Sequence, residues 1–325
     1  MNCYISTGHL PTPAEVAGIL AETHALHAAE ASGRVSDVYP ALARVEPSLF
    51  GLCLVGTNGN VHLAGDALHP FSIMSVSKPF VMALVCEAIG WEALRGMVGA
   101  NATGMAFNSV AAIERSADGL TNPMVNAGAI ATTSLVPGMT PEARWRLILE
   151  GLSRFAGRDL TLDEEVYAPA TETNLRNRSI AHFLSTRGRI AGDAMEAVAL
   201  YTRQCALSVT AKDLAAMGAT LADGGVNPIT GEAVLDASAS RYALAVMATA
   251  GMYETSGDWL CDIGLPGKSG IGGGIVTVSP GKGGMGALSP PLDAAGNSVR
   301  GILAARSLAE RLGLDVFASA PMAQR

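Results

Sequence analysis

The chain has 325 residues, 49% of them apolar and only 16% charged, with a formal net charge of −7. That balance fits a well-buried globular enzyme and excludes a disordered or solvating chain. The acidic charge, with no Lys/Arg cluster as a local exception, argues against nucleic acid as a partner.

In chain order, Met1-Asn2-Cys3-Tyr4-Ile5 shows no basic region followed by an apolar core, and no apolar segment is long enough to span a bilayer. A cytoplasmic protein with no membrane contact is therefore expected. Thr12-Pro13-Ala14-Glu15 combines an N-cap threonine, a proline at the first helical position and a capping-box glutamate. They predict a helix to about Ser32, where Gly33 stops it. His24 and His27 lie on it at a spacing a metal could use, but no third ligand or partner carboxylate is evident. No metal is expected there. Phe50 to Val55 reads as a strand, Asn58-Gly59 as a two-residue hairpin turn and Asn60 to Ala64 as the returning strand.

Phe71-Ser72-Ile73-Met74-Ser75-Val76-Ser77-Lys78 then sets a polar Ser-x-x-Lys at the mouth of an apolar run that keeps helical periodicity to Ile89. With a helix starting near Ser75, Ser75 and Lys78 lie one turn apart on one face. A serine is a poor nucleophile until a base takes its proton, and a partly desolvated lysine can lose its own proton near neutrality. A helix N-terminus also offers free N–H groups and a positive dipole end to a developing oxyanion. The same letters equally fit a serine N-cap followed by a surface lysine.

From Gly90 to about Cys205 helical periodicities alternate with loops. Thr140-Pro141-Glu142 opens a helix that carries Trp145, Leu147, Ile148 and Leu152 toward a core. Val209 to Leu221 and Ala239 to Ala250 read as further helices, strand character returns at 274–278 and 284–288, and Gly301 to Leu312 makes a terminal helix. Strands at both ends of a helical middle predict a sheet with a helical domain inserted in it, rather than a βαβ repeat. Five scattered cysteines (Cys3, Cys53, Cys86, Cys205, Cys261) sit in apolar runs and read as reduced core residues.

Two glycine-rich stretches imitate nucleotide sites. Gly267-Lys268-Ser269 lacks the glycine a P-loop needs five positions earlier, where Asp262 stands. Gly281-Lys282-Gly283-Gly284-Met285-Gly286 satisfies G-x-G-x-x-G by letter, but Ala-Leu-Ser-Pro-Pro follows where a helix is required.

Lys268-Ser269-Gly270 gains meaning beside Ser75-x-x-Lys78: together they resemble the serine β-lactamases and penicillin-binding proteins, where a K-[ST]-G strand lies beside the nucleophile. Asn122-Pro123-Met124-Val125-Asn126-Ala127-Gly128-Ala129-Ile130 closely resembles the N-P-x-x-N-A-G-A-I signature of the serine-dependent glutaminases. Phe107-Asn108-Ser109, Arg176-Asn177, Tyr201 with Arg203-Gln204-Cys205, Gly251-Met252-Tyr253, Lys268 to Gly274 and Ser289-Pro290-Pro291-Leu292-Asp293 are similar to that family too. So is Gly296-Asn297-Ser298. The likeness runs roughly from Gly33 to Phe317.

This resemblance implies an α/β (α+β), β-lactamase-like fold, with an antiparallel sheet flanked by helices plus an inserted all-helical domain. Residues 1–92 and 206–325 would form the sheet domain and 93–205 the helical one, with the active site between them. It implies hydrolysis of a primary carboxamide to carboxylate and ammonia, with L-glutamine the default substrate, no metal or cofactor, and a homodimer or homotetramer. Ser75 would form an acyl-enzyme, Lys78 and Tyr253 would shuttle protons, and Lys268 would stand beside them. The backbone N–H groups of Ser75 and Ile271 would form the oxyanion hole. Asn126, Asn177 and Tyr201 match family positions that hold the α-carboxylate and α-amino end of glutamine.

Two positions depart from the pattern. The family carries Ser-Glu, whose glutamate holds the substrate's α-ammonium, where this chain has Pro169-Ala170; its Asp-Tyr-Ile-Pro is here Asp37-Val38-Tyr39-Pro40. Glu172 would face nearly the other way on a regular helix, and Tyr39 the opposite face of a strand. An altered substrate, an ω-carboxamide acid without a free α-ammonium, is the alternative to glutamine. A β-lactam-processing enzyme and a non-catalytic binding module are weaker readings: the N-A-G-A-I block opposes the first, the intact Ser75, Lys78, Tyr253 and Lys268 the second.

Overall fold

The computed structural model describes residues 8–319, so Met1 to Ile5, with Cys3, lie outside it. The chain begins with α1 (Pro13–His27) and α2 (Pro40–Ala43), then the hairpin β1 (Gly51–Gly56) and β2 (Val61–Gly65). Strand β3 (Phe71–Ser72) leads through a 3-10 turn at Met74–Val76 into α3 (Ser77–Ile89). Helices then dominate: α4 (Trp91–Val98), α5 (Ala111–Arg115), α6 (Asn126–Ser134) and α7 (Pro141–Ala156). After β4 (Thr161–Leu162) come α8 (Glu164–Thr173), α9 (Leu175–Thr186) and α10 (Ala194–Cys205). The order continues with β5 (Leu207–Val209), α11 (Ala211–Ala222), α12 (Ala237–Ala250), a 3-10 turn at Tyr253–Thr255 and α13 (Ser256–Ile263). Strands β6 (Gly267–Ser269), β7 (Gly274–Ser279) and β8 (Gly283–Leu288) precede α14 (Val299–Leu312).

Local chemistry accounts for most boundaries. Thr12 and Glu15 form the expected capping box at α1. The helix ends at His27, however, not near Ser32, because Arg34 must pair with Leu292 in both directions and the intervening residues leave the helix to reach it. His24 Nε2 bonds the Phe50 carbonyl and His27 Nε2 the Ser307 hydroxyl, so each serves packing. Among the described residues, no cluster of three or more His, Cys, Asp or Glu could hold a metal. The helix expected from Val209 starts at Ala211, since Thr210 and Asp213 form a second capping box and Leu207–Val209 pair as a strand.

The main sheet has the order β2-β1-β8-β7-β6 and every pair in it is antiparallel. Leu52 and Leu54 face a core built with Val16, Leu20, Trp259 and Leu308, from α1, α13 and α14. Cys53 and Val55 face the opposite core with Phe80, Phe155 and Leu214. Helices cover both faces, so β1, β7 and β8 are buried at every residue and show continuous rather than alternating apolar character. Among the described residues, no helix is long and apolar enough to cross a membrane.

The second glycine-rich stretch finds its purpose here. Helix α11 lies flush on β8: a Cβ at Gly284 would meet the Ala219 nitrogen at 2.3 Å, and one at Gly286 the Ala211 carbonyl at 2.0 Å. Both obstacles are backbone, which cannot swing aside. Gly286→Ala is therefore expected to destabilise the protein by about 3 kcal/mol, the upper range for overpacking. A thermal or urea melt checks this.

Candidate active site

Ser75 sits at the middle of the 3-10 turn, and the regular helix begins only at Ser77. The expected one-turn Ser–Lys geometry is thus tightened. Met74 adopts a left-handed backbone at φ 49°, a conformation that costs an L-residue about 1–2 kcal/mol. Neighbouring bonds hold it there. Ile73 N–H donates to the Leu207 carbonyl at 2.8 Å, the Ser77 hydroxyl donates to the Met74 carbonyl at 2.8 Å, and Gln204 Nε2 donates to that hydroxyl at 3.3 Å.

The β6–β7 loop faces this turn. A Cβ at Gly270 would stand 3.0 Å from the Ile73 carbonyl and 3.3 Å from the Ser75 nitrogen. A side chain there would have to push the turn aside by a few tenths of an ångström. The next residue, Ile271, lines the cavity beside Ser75, and its N–H donates to no other group among the described residues.

Two lysines lie fully buried behind Ser75. Lys78 Nζ donates to Asn126 Oδ1 at 2.8 Å and to the Met124 carbonyl at 3.3 Å. Burial brings its pKa down to about 8, against a smaller opposing pull from Cys205. Lys268 Nζ donates to the carbonyls of Gly251 at 2.8 Å and Ser269 at 2.5 Å and lies 4.2 Å from the Tyr253 ring centroid. Burial, and then the charge of Lys78, push its pKa well below the ordinary lysine value.

Tyr253 has the second left-handed non-glycine backbone among the described residues, φ 56°. Its ring tilts against Phe107 and its hydroxyl donates to the Ser269 carbonyl at 3.2 Å. Burial raises its pKa, while a hydrogen bond with Ser75 opposes the rise. The phenol stays protonated at neutral pH.

The asparagines form a relay. Asn126 Oδ1 accepts from Lys78 and, at 3.2 Å, from the Tyr201 hydroxyl, while Asn126 Nδ2 donates to Asn177 Oδ1 at 3.1 Å. Asn122 sets the loop that presents Asn126: its Nδ2 donates to the Ala100 carbonyl at 2.8 Å and the Thr249 hydroxyl at 2.9 Å, and its Oδ1 accepts from the Met124 N–H at 2.9 Å. Asn122 is fully buried.

A cavity of about 290 Å³ brings together Ser75, Ile271, Asn126, Asn177, Tyr201, Ala170 and Val38 from the sequence reading. Lys78, Tyr253 and Lys268 stand behind its wall rather than on it. Glu172 is exposed and off the wall, as a helical position two residues from buried Ala170 requires. Tyr39 departs from expectation: residues 37–39 are not a strand, Tyr39 precedes α2, and it lines the cavity together with Val38. Sequence reasoning missed Asn174, Thr202 and Arg176 as wall residues. Arg176 Nε donates to the Asn108 carbonyl at 2.9 Å, and Asn174 Nδ2 to the Thr202 hydroxyl at 2.6 Å. Arg176 was visible only as part of an Arg-Asn pair, and nothing local marked Asn174.

An antiparallel sheet between helical layers, with a serine on a tight turn, a buried lysine behind it and a Lys-Ser strand alongside, defines the β-lactamase-like class of fold. The family model described as Glutaminase matches residues 33–317, and the chain belongs to the glutaminase family. "Glutaminase 2" of Yersinia pestis is 63% identical over 322 residues, covering 99% of this chain and 95% of that protein. Among solved structures, "Probable glutaminase ybaS" has a TM-score of 0.93 at 43% identity, covering 95% of this chain and all 100% of its own. "Mglu in its glutamate form" has a TM-score of 0.87 at 38% identity, covering 96% of this chain and 70% of that one.

Removing the Asn122 side chain strands the buried Met124 N–H and takes a donor from the Ala100 carbonyl and the Thr249 hydroxyl, which keep their bonds through Thr249. Asn122→Ala is expected to lower stability by about 2–3 kcal/mol, read by thermal melting.

Proposed function

We propose that Ser75 attacks the carboxamide carbon of its substrate and carries the acyl group as an ester. As a member of the glutaminase family the chain is an amidohydrolase that turns L-glutamine into glutamate and ammonia. The observation that carries the serine mechanism is the buried Lys78 amine, three residues on from the cavity-lining Ser75 and bonded to Asn126 on the same wall, whose pKa burial brings down to about 8. Neutral Lys78 accepts the Ser75 proton as the Oγ–C bond forms. The oxyanion is received by the N–H groups of Ser75 and Ile271. The C–N bond then breaks, and the proton taken by Lys78 returns to the leaving nitrogen by way of the Tyr253 hydroxyl. Water attacks the ester with the same groups acting in reverse. Lys268 touches Tyr253 and not the cavity, so it acts as a positioning residue. Asn177, Asn126 and Tyr201 hold the α-carboxylate end. No metal or cofactor enters the scheme.

The sheet portion (1–92 with 206–325) and the helical portion (93–205) are read as the two walls of the site. A cytoplasmic location belongs to the same proposal, supported by the free thiols of Cys53, Cys86, Cys205 and Cys261. A homodimer or homotetramer rests on the family resemblance, and light scattering on the purified protein tests it.

Ser75→Ala is expected to lower kcat for ammonia release at least about 10³-fold; turnover persisting at the wild-type rate would remove Ser75 from the mechanism. Tyr253→Phe keeps the ring against Phe107 and should lose about 10²-fold in kcat. Because the base must be neutral, kcat/KM should fall about tenfold per pH unit below an apparent pKa near 8. At pH 7 about a tenth of Lys78 is neutral. A profile flat from pH 6 to 9 contradicts Lys78 as the base.

A further inference from the structure

Resting on that reading of Ser75, we infer that the cavity also hydrolyses ω-carboxamides of acids whose α-substituent carries no positive charge, and takes them at least as well as glutamine. The juxtaposition behind this is a wall with donors and a cation but without an acidic side chain. An ammonium leaving water loses several kcal/mol unless a counter-charge or a full set of acceptors meets it.

Among the described residues, none that lines the cavity is an aspartate or glutamate, and the formal charge on the wall is the Arg176 guanidinium. Nearby carboxylates are committed elsewhere. Asp163 accepts from the Ser72 hydroxyl at 2.6 Å and caps α8, Glu254 accepts the Phe107 N–H at 3.2 Å, and Glu172 is exposed away from the cavity. The amide relay adds to the bias. Asn126 Oδ1 already accepts from two protein donors and Asn177 Oδ1 from one, while Asn177 Nδ2 is left to donate toward a substrate. Such a donor suits a carboxylate and repels an ammonium.

Val38, Val166 and Ala170 add an apolar patch to that wall, beside the polar side chains of Tyr39, Thr173 and Thr202. Val166 and Ala170 are buried, at 2% and 3% exposure, whereas Val38 is 57% exposed and borders the mouth. A methylene at the α-position meets hydrocarbon there. An N-acyl group, which replaces the ammonium by one N–H and one carbonyl, can extend past Val38 to solvent.

The test compares kcat/KM for L-glutamine, glutaramate (the des-amino analogue) and N-acetyl-L-glutamine, each with a Ser75→Ala control. Ala170→Glu, which sets a carboxylate on the wall, is run in parallel. The expected result is that at least one uncharged analogue equals or exceeds glutamine in the wild type. Ala170→Glu should shift the ratio toward glutamine tenfold or more, roughly the effect of one added charge pair. A wild-type preference for glutamine over both analogues, with Ser75-dependent turnover, overturns this inference and leaves the serine mechanism standing. Turnover that survives Ser75→Ala overturns the mechanism, and this inference with it. Should Ala170→Glu fail to fold, the wild-type comparison alone decides.

Discussion

Lys78 places an amine in the interior with no carboxylate among the described residues to neutralise it, and much of the structure follows from keeping that amine there. Its partners are one amide oxygen and one backbone carbonyl, Asn126 Oδ1 and Met124 O. Those acceptors stabilise the charge less than an anion would, so burial wins and the pKa falls. The helix that carries Lys78 is buried at every residue from Ser77 to Cys86, surrounded by α6, α7 and α12. Moving any of these helices would wet the amine and return it toward its ordinary, permanently charged state.

The same packing sustains strain. Left-handed backbone at Met74 and Tyr253 occurs on the two residues that border Ser75 in sequence and in space. Each such residue costs about 1–3 kcal/mol, which persists only where surrounding contacts overdetermine it. Gln204 and Ser77 clamp the first, while Phe107, Lys268 and Ser256 surround the second. Ser75 and its neighbours are therefore held in place, as the proposed mechanism requires of groups that stabilise charge developing only during reaction.

Glycine serves the site at two distances. Near Ser75, Gly270 lets a loop approach the turn closely; farther away, Gly284 and Gly286 let α11 lie directly on the sheet. The G-x-G-x-x-G letters in β8 thus record helix-to-sheet contact. A glycine pattern names a close approach of backbone, and the tertiary structure says to what.

Signals that act within a few residues were legible in the sequence. The capping boxes at Thr12 and Thr210 are closed by neighbours, so the letters alone determine them, although the second passed unread and blurred the start of α11. Asn58-Gly59 marked the hairpin but not its turn: Gly56 pairs with Asn60, which makes a three-residue loop of Thr57 to Gly59 in place of the expected two. The Ser-x-x-Lys and N-P-x-x-N-A-G-A-I motifs likewise named Ser75, Lys78 and Asn126, and the family with them. Three features belonged to the tertiary structure alone: the 3-10 turn under Ser75, the direction of the amide relay and the lack of an acidic wall residue. Each depends on contacts between distant parts of the chain. Lys78 meets Asn126 across 48 positions, Asn126 meets Asn177 across 51, and Gln204 reaches Ser77 across 127. Burial, pKa and donor direction are properties of such meetings, and no local stretch of sequence contains them.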